Sequence, residues 1–408
     1  MVPVHRDQRE LLQVEGLSPT DVARLARESG AIAVDTEFVS ERRYQPLLCL
    51  VQTAVEGPDG LHISLFDPLD EGLDPAPLAE VLADPAVEVV MHAGRQDVAL
   101  LKRTWRTEVT SVFDTQVAAG FAGYGNQTGY ADLVRSLLGV RPKRSEGFTR
   151  WDDRPLSPEQ LEYARADVEH LLEAARELKR RLAAGGRLEW AREECRRLEA
   201  ASDERGPDQA YEALPRLGRL NGQQRAVAYE LARWRDEAAR AADRPPASFM
   251  PDHVLVETAR KMPASREELK KIRGMPERTA GRHHREIVAA IERGRRAEPI
   301  PYEEKRLDID KADAPLVSLA QALVRQRASE AEIAVELIAT QADLTRVVAG
   351  VRTGTLNGGR PLEGWRRELV GEELLELLRG RRVVRVVDGR LSVEPLPQAG
   401  GSEPGTPT

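Results

Sequence analysis

This chain has few cysteines, no long apolar run, and an N-terminus that does not resemble a signal peptide. Cys49 and Cys195 are the only cysteines among 408 residues, and neither has the spacing of a metal ligand. A disulfide-rich secreted protein is therefore excluded, and a reducing compartment is favoured. No apolar run approaches the ~20 residues of a membrane span, and the N-terminus has no signal-peptide core. We expect a cytoplasmic protein without a membrane partner.

An overall excess of basic charge is also absent. The formal net charge is -7, which weighs against a nucleic-acid role for the chain as a whole but leaves room for a local basic patch. Hydrophobic residues make up 41% and charged residues 31%, as in a globular protein with long helices. The length predicts about two to four domains.

The first half of the chain has the pattern of an α/β domain with a mixed sheet, over residues 1–200. An apolar strand at 31–38 is followed by two more, at 47–55 and 61–67, which the turn GPDG joins as an antiparallel hairpin. Strand and helix then alternate, beginning with a buried strand at 87–92. This order of elements predicts a sheet with both parallel and antiparallel pairs.

A long helix is predicted after Ser157. Serine at the N-cap, Pro158 at the first helical position and Gln160 three residues after the cap are strong start signals. Apolar residues then recur at steps of three and four to Leu182, so we expect one helix of that length.

Helical patterns dominate the second half. We expect a linker at 201–218, a compact helical module at 219–297 and a second linker at 298–314. A further helical module should follow at 315–381, with a partly disordered tail at 382–408.

Asp35 and Glu37 lie two residues apart in the first strand, so their side chains share a face. Adjacent carboxylates among apolar neighbours repel each other and lose hydration. A hard divalent cation with oxygen ligands resolves both problems. Taken alone, the pair also fits a solvated strand end.

Asp97, Tyr163 and Asp167 extend this acidic set. Asp97 follows a strand and a small-residue turn, where α/β folds collect ligands, although a helix-capping role is the commoner one for such a residue. Tyr163 and Asp167 are four apart on a helix and share a face. A tyrosine hydroxyl can hold a water, but an ordinary helical pair has the same spacing.

Together the five residues resemble the DEDD superfamily of 3′–5′ exonucleases, in the branch that carries a tyrosine four residues before the last aspartate. The histidine branch has its histidine five before, where this chain has Glu162. The surrounding text is similar to the ribonuclease D family, through VDTEF, LLCLVQ, MHAGRQD, FDTQVAAGFAGYG and RPLSPEQLEYARADV.

This resemblance implies a ribonuclease H-like exonuclease domain with two divalent metal ions, Mg²⁺ or Mn²⁺. Asp35, Glu37 and Asp167 would hold one ion, and Asp35 with Asp97 the other, while Tyr163 would orient the attacking water. The products would be nucleoside 5′-monophosphates. Residues Gly147 and Phe148, in the loop 142–156, depart from the family pattern, which leaves the role of that loop open.

Residues 219–297 resemble an HRDC domain, a helical nucleic-acid-binding module, and residues 315–381 resemble a second one with less specific motifs. Between Arg260 and Arg296 the chain has twelve Lys and Arg but five Asp and Glu. A glycine turn at IRGMPERTAG could meet a phosphate. The nearby candidates are Arg273, Arg278, Arg282 and Arg285. A solvated helix face is an equal alternative.

The leading hypothesis is a monomeric exoribonuclease that trims the 3′ ends of tRNA precursors or other structured RNA. A 3′–5′ DNA exonuclease of the same branch is the second, because contacts to the 2′-hydroxyl cannot be identified from sequence. An inactive RNA-binding scaffold is the third, and the intact set of five residues argues against it.

Overall fold

The computed structural model describes residues 16–125, 127–142, 150–204, 206–302, 310–356 and 358–396. The chain divides into two compact units, each assembled from three separate segments. The first takes in Met1–Asp114, Arg141–Glu173 and Arg196–Glu304, and the second takes in Thr115–Val140, Ala174–Cys195 and Lys305–Thr408. Among the described residues, no helix combines the length and the apolar character needed to cross a bilayer.

A five-stranded sheet organises the first unit. Its strands are β1 (Ala31–Val39), β2 (Leu47–Gly57), β3 (Gly60–Phe66), β4 (Glu88–Met91) and β5 (Val112–Asp114). Their spatial order is β3-β2-β1-β4-β5. Strand β1 pairs antiparallel with β2 and parallel with β4, so the predicted mixed sheet is confirmed. Strands β2 and β3 form the predicted antiparallel hairpin.

Helices separate and follow these strands along the chain. They are α1 (Pro19–Ser29), α2 (Ala76–Leu82), α3 (Arg95–Trp105), α4 (Thr115–Phe121), α5 (Tyr130–Leu138), α6 (Pro158–Glu169), α7 (Leu171–Ala184) and α8 (Leu188–Glu199). One apolar cluster joins α1, α2 and α3 to the strands. A smaller cluster, with Leu50, Trp151 and Ala164, attaches α6 to the sheet. Helix α6 thereby comes to lie beside β1.

Local signals set the ends of these helices. Ser18 caps α1 through its side chain, and Gly30 ends it in the left-handed region at φ 76°. At α6, Ser157 accepts from the backbone of Gln160 while the Gln160 side chain accepts from the backbone of Ser157, which confirms the predicted capping box. The single long helix was wrong, because the backbone of His170 leaves helical geometry at φ -111° and separates α6 from α7.

A helical bundle completes the first unit. Its helices are α9 (Pro207–Glu212), α10 (Gly222–Ala241), α11 (Pro246–Phe249), α12 (Asp252–Lys261), α13 (Arg266–Lys270), α14 (Glu277–Arg282) and α15 (His284–Arg296). The predicted linker at 201–218 contains α9 and a 3₁₀ turn at Leu217–Arg219. Within this stretch Leu214 is buried in the bundle core, so its second half packs on the bundle.

The C-terminal part of the second unit is also mainly helical. It contains α16 (Ala314–Glu330), α17 (Val335–Ile338), α18 (Gln341–Thr353), α19 (Gly364–Arg366) and α20 (Glu372–Leu378), followed by strands β6 (Arg382–Val387) and β7 (Arg390–Pro395). This antiparallel hairpin was missed in the predicted tail. Asp388 and Gly389 both have positive φ and form the two-residue turn. An Asp-Gly pair between valine-rich segments is a sequence signal for such a hairpin. Residues 397–408 lie outside the described residues.

Candidate active site

Three carboxylates that are distant in sequence meet on one face of the sheet. Asp35 and Glu37 are two residues apart along β1, so their side chains project to the same side of the sheet. Helix α6 packs on the sheet and carries Asp167. One carboxylate oxygen from each of these three residues lies within 4.8 Å of the others. The strand and the helix together form an oxygen-lined site large enough for a cation.

Asp97 approaches from a neighbouring element. It lies in the first turn of α3 and is 8% exposed. Strand β4 runs parallel to β1, with Val90 opposite Ala33, so the segment after β4 reaches the carboxyl end of β1. The Thr36 hydroxyl donates a hydrogen bond to Oδ1 of Asp97. Asp97 is outside the group of three carboxylates, but its charge acts on Asp35.

Tyr163 completes the set from the same helix as Asp167. The two are one turn apart on α6, and the Tyr163 hydroxyl donates to the Asp167 carboxylate. Burial raises the pKa of Tyr163 well above its ordinary value, and the charges of Asp167, Glu37 and Asp35 raise it further. The phenol therefore remains protonated and can both donate and accept a hydrogen bond.

The acids are strongly disfavoured as free anions. Burial, followed by the charges of Asp167 and Asp97, raises the pKa of Glu37 to about 8. Burial also raises the pKa of Asp167 and that of Asp97, each to about 6. For Asp35, burial and then the charge of Asp97 raise the pKa well above its ordinary value. Desolvation and mutual repulsion are the physical causes.

A divalent cation fits these residues. Its positive charge would offset the repulsion, and a donor set made only of carboxylate oxygens suits a hard ion such as Mg²⁺ or Mn²⁺. The structure thus brings together all five residues that the sequence predicts for the exonuclease site.

The four predicted phosphate-binding arginines form a separate group on the helical bundle. Arg273 precedes Gly274, which has φ 84°, and the others lie in α14 or at the start of α15: Arg278, Arg282 and Arg285. All four are exposed. Among the described residues, no ion pair joins them to a carboxylate. Gly147 and Phe148, noted in the loop 142–156, lie outside the described residues.

Two family models match this chain. A model described as a 3′-5′ exonuclease covers residues 18–183, which contain all five site residues. A model described as an HRDC domain covers residues 224–291, which contain the four arginines.

Full-length relatives decide the family. Ribonuclease D of Acidiphilium cryptum is 35% identical over 379 residues, covering 92% of this chain and 94% of that protein. Ribonuclease D of Gluconacetobacter diazotrophicus is 36% identical over 374 residues, covering 90% and 91%. The chain belongs to the ribonuclease D family. The resemblance identified from sequence motifs is thereby confirmed.

Solved structures agree with the ribonuclease D assignment. The crystal structure of Escherichia coli RNase D, described as an exoribonuclease involved in structured RNA processing, matches with a TM-score of 0.78 and 30% identity. The match covers 89% of this chain and 96% of that one. The catalytic core of RRP6 from Trypanosoma brucei matches with a TM-score of 0.53 and 26% identity, over 67% and 76%.

As a member of the ribonuclease D family, this protein is a 3′–5′ exoribonuclease with a mixed α/β exonuclease domain followed by a helical HRDC domain. Its acidic cluster suits the divalent-metal dependence of DEDD exonucleases. RNA is the class of substrate on which the family acts.

Arg154 supports this ribonuclease D site and was missed by sequence inspection. Arg154 donates to both carboxylate oxygens of Asp67, at 2.6 and 2.7 Å, and to the carbonyl of Cys49, at 2.7 Å. It thereby holds the segment with Trp151, whose ring centroid lies 6.1 Å from that of Tyr163. The sequence signal for Arg154 is weak, because its partners lie 87 and 105 residues away.

Asp114 also supports the site, as a buried turn residue, which is the role expected for it from its FDT context. It is 1% exposed and accepts from the backbone N–H groups of Ala93 and Gly94, at 3.2 and 2.7 Å. This contact stabilises the turn between β4 and α3, where Ala93 has φ 58°. The turn determines where the helix that carries Asp97 begins.

Proposed function

We propose that this exoribonuclease removes nucleotides one at a time from RNA 3′ ends and releases nucleoside 5′-monophosphates. A water oxygen would form a bond to the terminal phosphorus, while the bond from that phosphorus to the preceding 3′ oxygen breaks. The observation that carries the proposal is the cluster of Asp35, Glu37 and Asp167 carboxylate oxygens within 4.8 Å of one another, beside Tyr163.

We assign two divalent cations, Mg²⁺ or Mn²⁺, to this site. Asp35, Glu37 and Asp167 would bind one, and Asp35 with Asp97 would bind the other. Bound cations supply Lewis-acid activation of a phosphodiester and of a water. Burial, and after it mutual repulsion, raises the pKa of Asp35 and Glu37, and cations would offset the repulsion, which supports this assignment.

Tyr163 is the proposed orienting group for the attacking water. Its hydroxyl is held by Asp167 and stays protonated, so it has a lone pair available for a water proton. Asp97 is held in turn by the Thr36 hydroxyl. These two contacts would keep the reacting groups aligned before the substrate arrives.

Structured RNA, including tRNA precursors, is the proposed natural substrate. The Escherichia coli relative is described as an exoribonuclease involved in structured RNA processing. The exposed arginines Arg273, Arg278, Arg282 and Arg285 would contact phosphates of the RNA body. We propose that residues 315–381 form a second HRDC-like module with a similar role.

The enzyme is proposed to act as a monomer in the cytoplasm. All five residues of the site come from one chain, so catalysis needs no second copy. The family's RNA substrate and the two buried cysteines, Cys49 and Cys195, neither of which is in a disulfide, support a reducing, RNA-containing compartment.

A degradation assay tests the proposal. Single-stranded RNA and DNA of the same sequence, labelled at the 5′ end, are incubated with Mg²⁺ or Mn²⁺, and the products are separated by length and analysed by mass. We expect a ladder on RNA with nucleoside 5′-monophosphates as products, and no ladder for Asp35→Ala or Asp97→Asn. An equal ladder on DNA would contradict the RNA preference and favour the DNA exonuclease. Nucleoside 3′-monophosphates would contradict the proposed bond cleavage.

A further inference from the structure

Gln52, in β2, is a buried amide without a partner. Its side chain is 0% exposed, and within the described residues neither Oε1 nor Nε2 has a hydrogen-bond partner. Leaving such a group unsatisfied is unfavourable, because nothing replaces the hydrogen bonds to water that it loses on burial. Most buried polar side-chain atoms in proteins do have partners, so an exception of this kind calls for an explanation.

The strand register brings Gln52 to the acidic site. Asp35 in β1 is its direct antiparallel partner, and Glu37 pairs with Leu50, the next residue of β2 on the same face. Directly opposed residues have their Cβ atoms about 4.5–5.5 Å apart on one side of the sheet. The Gln52 amide therefore projects from the same face as the two carboxylates of β1.

Neighbours in the sheet on that face offer no other hydrogen bond. Leu50 and Ala54 precede and follow Gln52 by two residues along β2, and Leu65 is its partner in β3. All three side chains are aliphatic. Of the side chains paired with Gln52 across the sheet, Asp35 is the one that can accept a hydrogen bond from its amide.

We propose that Gln52 is a positioning residue for the metal site: its Nε2–H group donates to the Asp35 carboxylate when a divalent cation holds that carboxylate. The inference rests on the proposed metal binding by Asp35. A carboxylate that ligates a cation keeps lone pairs for a second partner, and such a partner fixes its orientation. The buried Gln52 amide would then have the acceptor that the described residues do not otherwise give it.

Gln52→Met tests this role, with Leu50→Met as the matched control on the same strand and face. Methionine keeps the length of glutamine but cannot donate a hydrogen bond, and Leu50→Met conserves volume. Mn²⁺ binding is measured calorimetrically without RNA. We expect about tenfold or greater loss of affinity in Gln52→Met and little change in the control. The metal-free Gln52→Met protein should melt no lower than the wild type, because an unsatisfied buried amide has been removed.

Unchanged Mn²⁺ affinity in Gln52→Met would overturn the inference. Asp35→Asn separates this outcome from failure of the metal site. If Asp35→Asn loses Mn²⁺ binding while Gln52→Met keeps it, the role of Gln52 alone is refuted; if Asp35→Asn still binds Mn²⁺ fully, the metal assignment itself is wrong.

A measurement on the wild-type protein covers the case in which Gln52→Met does not fold. With ¹⁵N-labelled glutamine, the Gln52 side-chain N–H signal should move on addition of Mg²⁺, as a new hydrogen bond forms. The spectrum of Gln52→Leu, in which that signal is missing, assigns it. A glutamine spectrum in which no side-chain amide moves on Mg²⁺ saturation contradicts the proposal.

Discussion

Thr36 donates a hydrogen bond from its hydroxyl to the carboxylate of Asp97, although 61 residues separate them in the chain. Thr36 lies between Asp35 and Glu37 in β1, so its side chain projects to the other side of the strand. The strand thus presents two carboxylates on one face, while Thr36, on the opposite face, holds Asp97. The contact links β1 to the start of α3.

Thr36→Val should reduce activity mainly at lower pH. Burial raises the pKa of Asp97 to about 6, and the Thr36 hydrogen bond opposes this rise. Without the hydroxyl, the pKa of Asp97 should increase and the acidic limb of the pH profile of kcat/KM should move to higher pH. A loss of about tenfold near pH 6 is expected from one hydrogen bond to a charged group. Thr36→Ser should behave like the wild type, and coincident profiles for all three proteins would contradict the role of Thr36.

The metal-free protein should become less stable as pH rises from about 5 to 8. In the folded state the pKa of Asp167 is raised from 3.8 to about 6 and that of Glu37 from 4.5 to about 8. At a pH between the ordinary and the raised pKa of either group, the folded protein binds more protons than the unfolded chain. The free energy of unfolding therefore falls with increasing pH. The decrease is on the order of 5 kcal/mol, measurable as a lower melting temperature in EDTA.

Two controls define this pH effect. Saturating Mg²⁺ should remove the decrease, because a bound cation offsets the charges of the ionised carboxylates. In EDTA, Glu37→Gln should show a flatter pH dependence than the wild type, since its amide does not titrate. A melting temperature of the metal-free wild type that is constant from pH 5 to 8 would refute the raised pKa values.

Arg366→Met should strongly destabilise the second unit. Arg366 is 0% exposed and donates to both carboxylate oxygens of Glu194, at 2.6 and 2.7 Å, and to the carbonyl of Leu337. Removing the guanidinium leaves the Glu194 carboxylate buried without its cation, at a cost of about 3–5 kcal/mol. Chemical denaturation measures the loss.

The double variant Arg366→Met with Glu194→Gln tests the cause of that loss. It should recover much of the stability, because the uncompensated charge is gone. Arg24→Met, which removes an exposed ion pair with Glu28, should change stability by less than about 1 kcal/mol. Equal stability for the single and double Arg366 variants would show that poorer packing, rather than charge, is responsible.

Replacing the four exposed arginines of the helical bundle by glutamine should weaken RNA binding in a salt-dependent way. Removing one arginine–phosphate interaction lowers the slope of log affinity against log salt by about 1, so the slope for the quadruple variant of Arg273, Arg278, Arg282 and Arg285 should fall by up to about 4. Binding is measured by fluorescence anisotropy at several salt concentrations. Trimming of a short oligomer should continue, because the acidic site is intact.

A charge-matched comparison strengthens the arginine test. The pair Arg278→Gln and Arg282→Gln is compared with Arg24→Gln and Arg180→Gln, which remove two exposed arginines that already pair with Glu28 and Glu177. Only the first pair should reduce the salt slope. Equal effects of the two pairs would assign RNA binding to net charge rather than to this surface.

Local patterns predicted much of the fold. The cap at Ser157 and the hairpin turn between β2 and β3 depend on neighbouring residues, and the structure has them as expected. The helix break at His170 was not predicted, because the apolar periodicity continues through it. The hairpin after residue 382 was missed, although its Asp388-Gly389 turn is a local signal.

The sequence by itself determined which acids share a face: Asp35 with Glu37 by the two-residue period of a strand, and Tyr163 with Asp167 by the turn of a helix. Only the tertiary structure decided that carboxylate oxygens of Asp35, Glu37 and Asp167 meet within 4.8 Å, that Thr36 holds Asp97 and that Gln52 lies opposite Asp35. The physical reason is how far apart in the chain the interacting residues lie. Side-chain direction follows from local backbone geometry, whereas strand register and helix packing depend on contacts between distant parts of the chain. Burial and repulsion, which set the pKa values of this site, exist only once those contacts form.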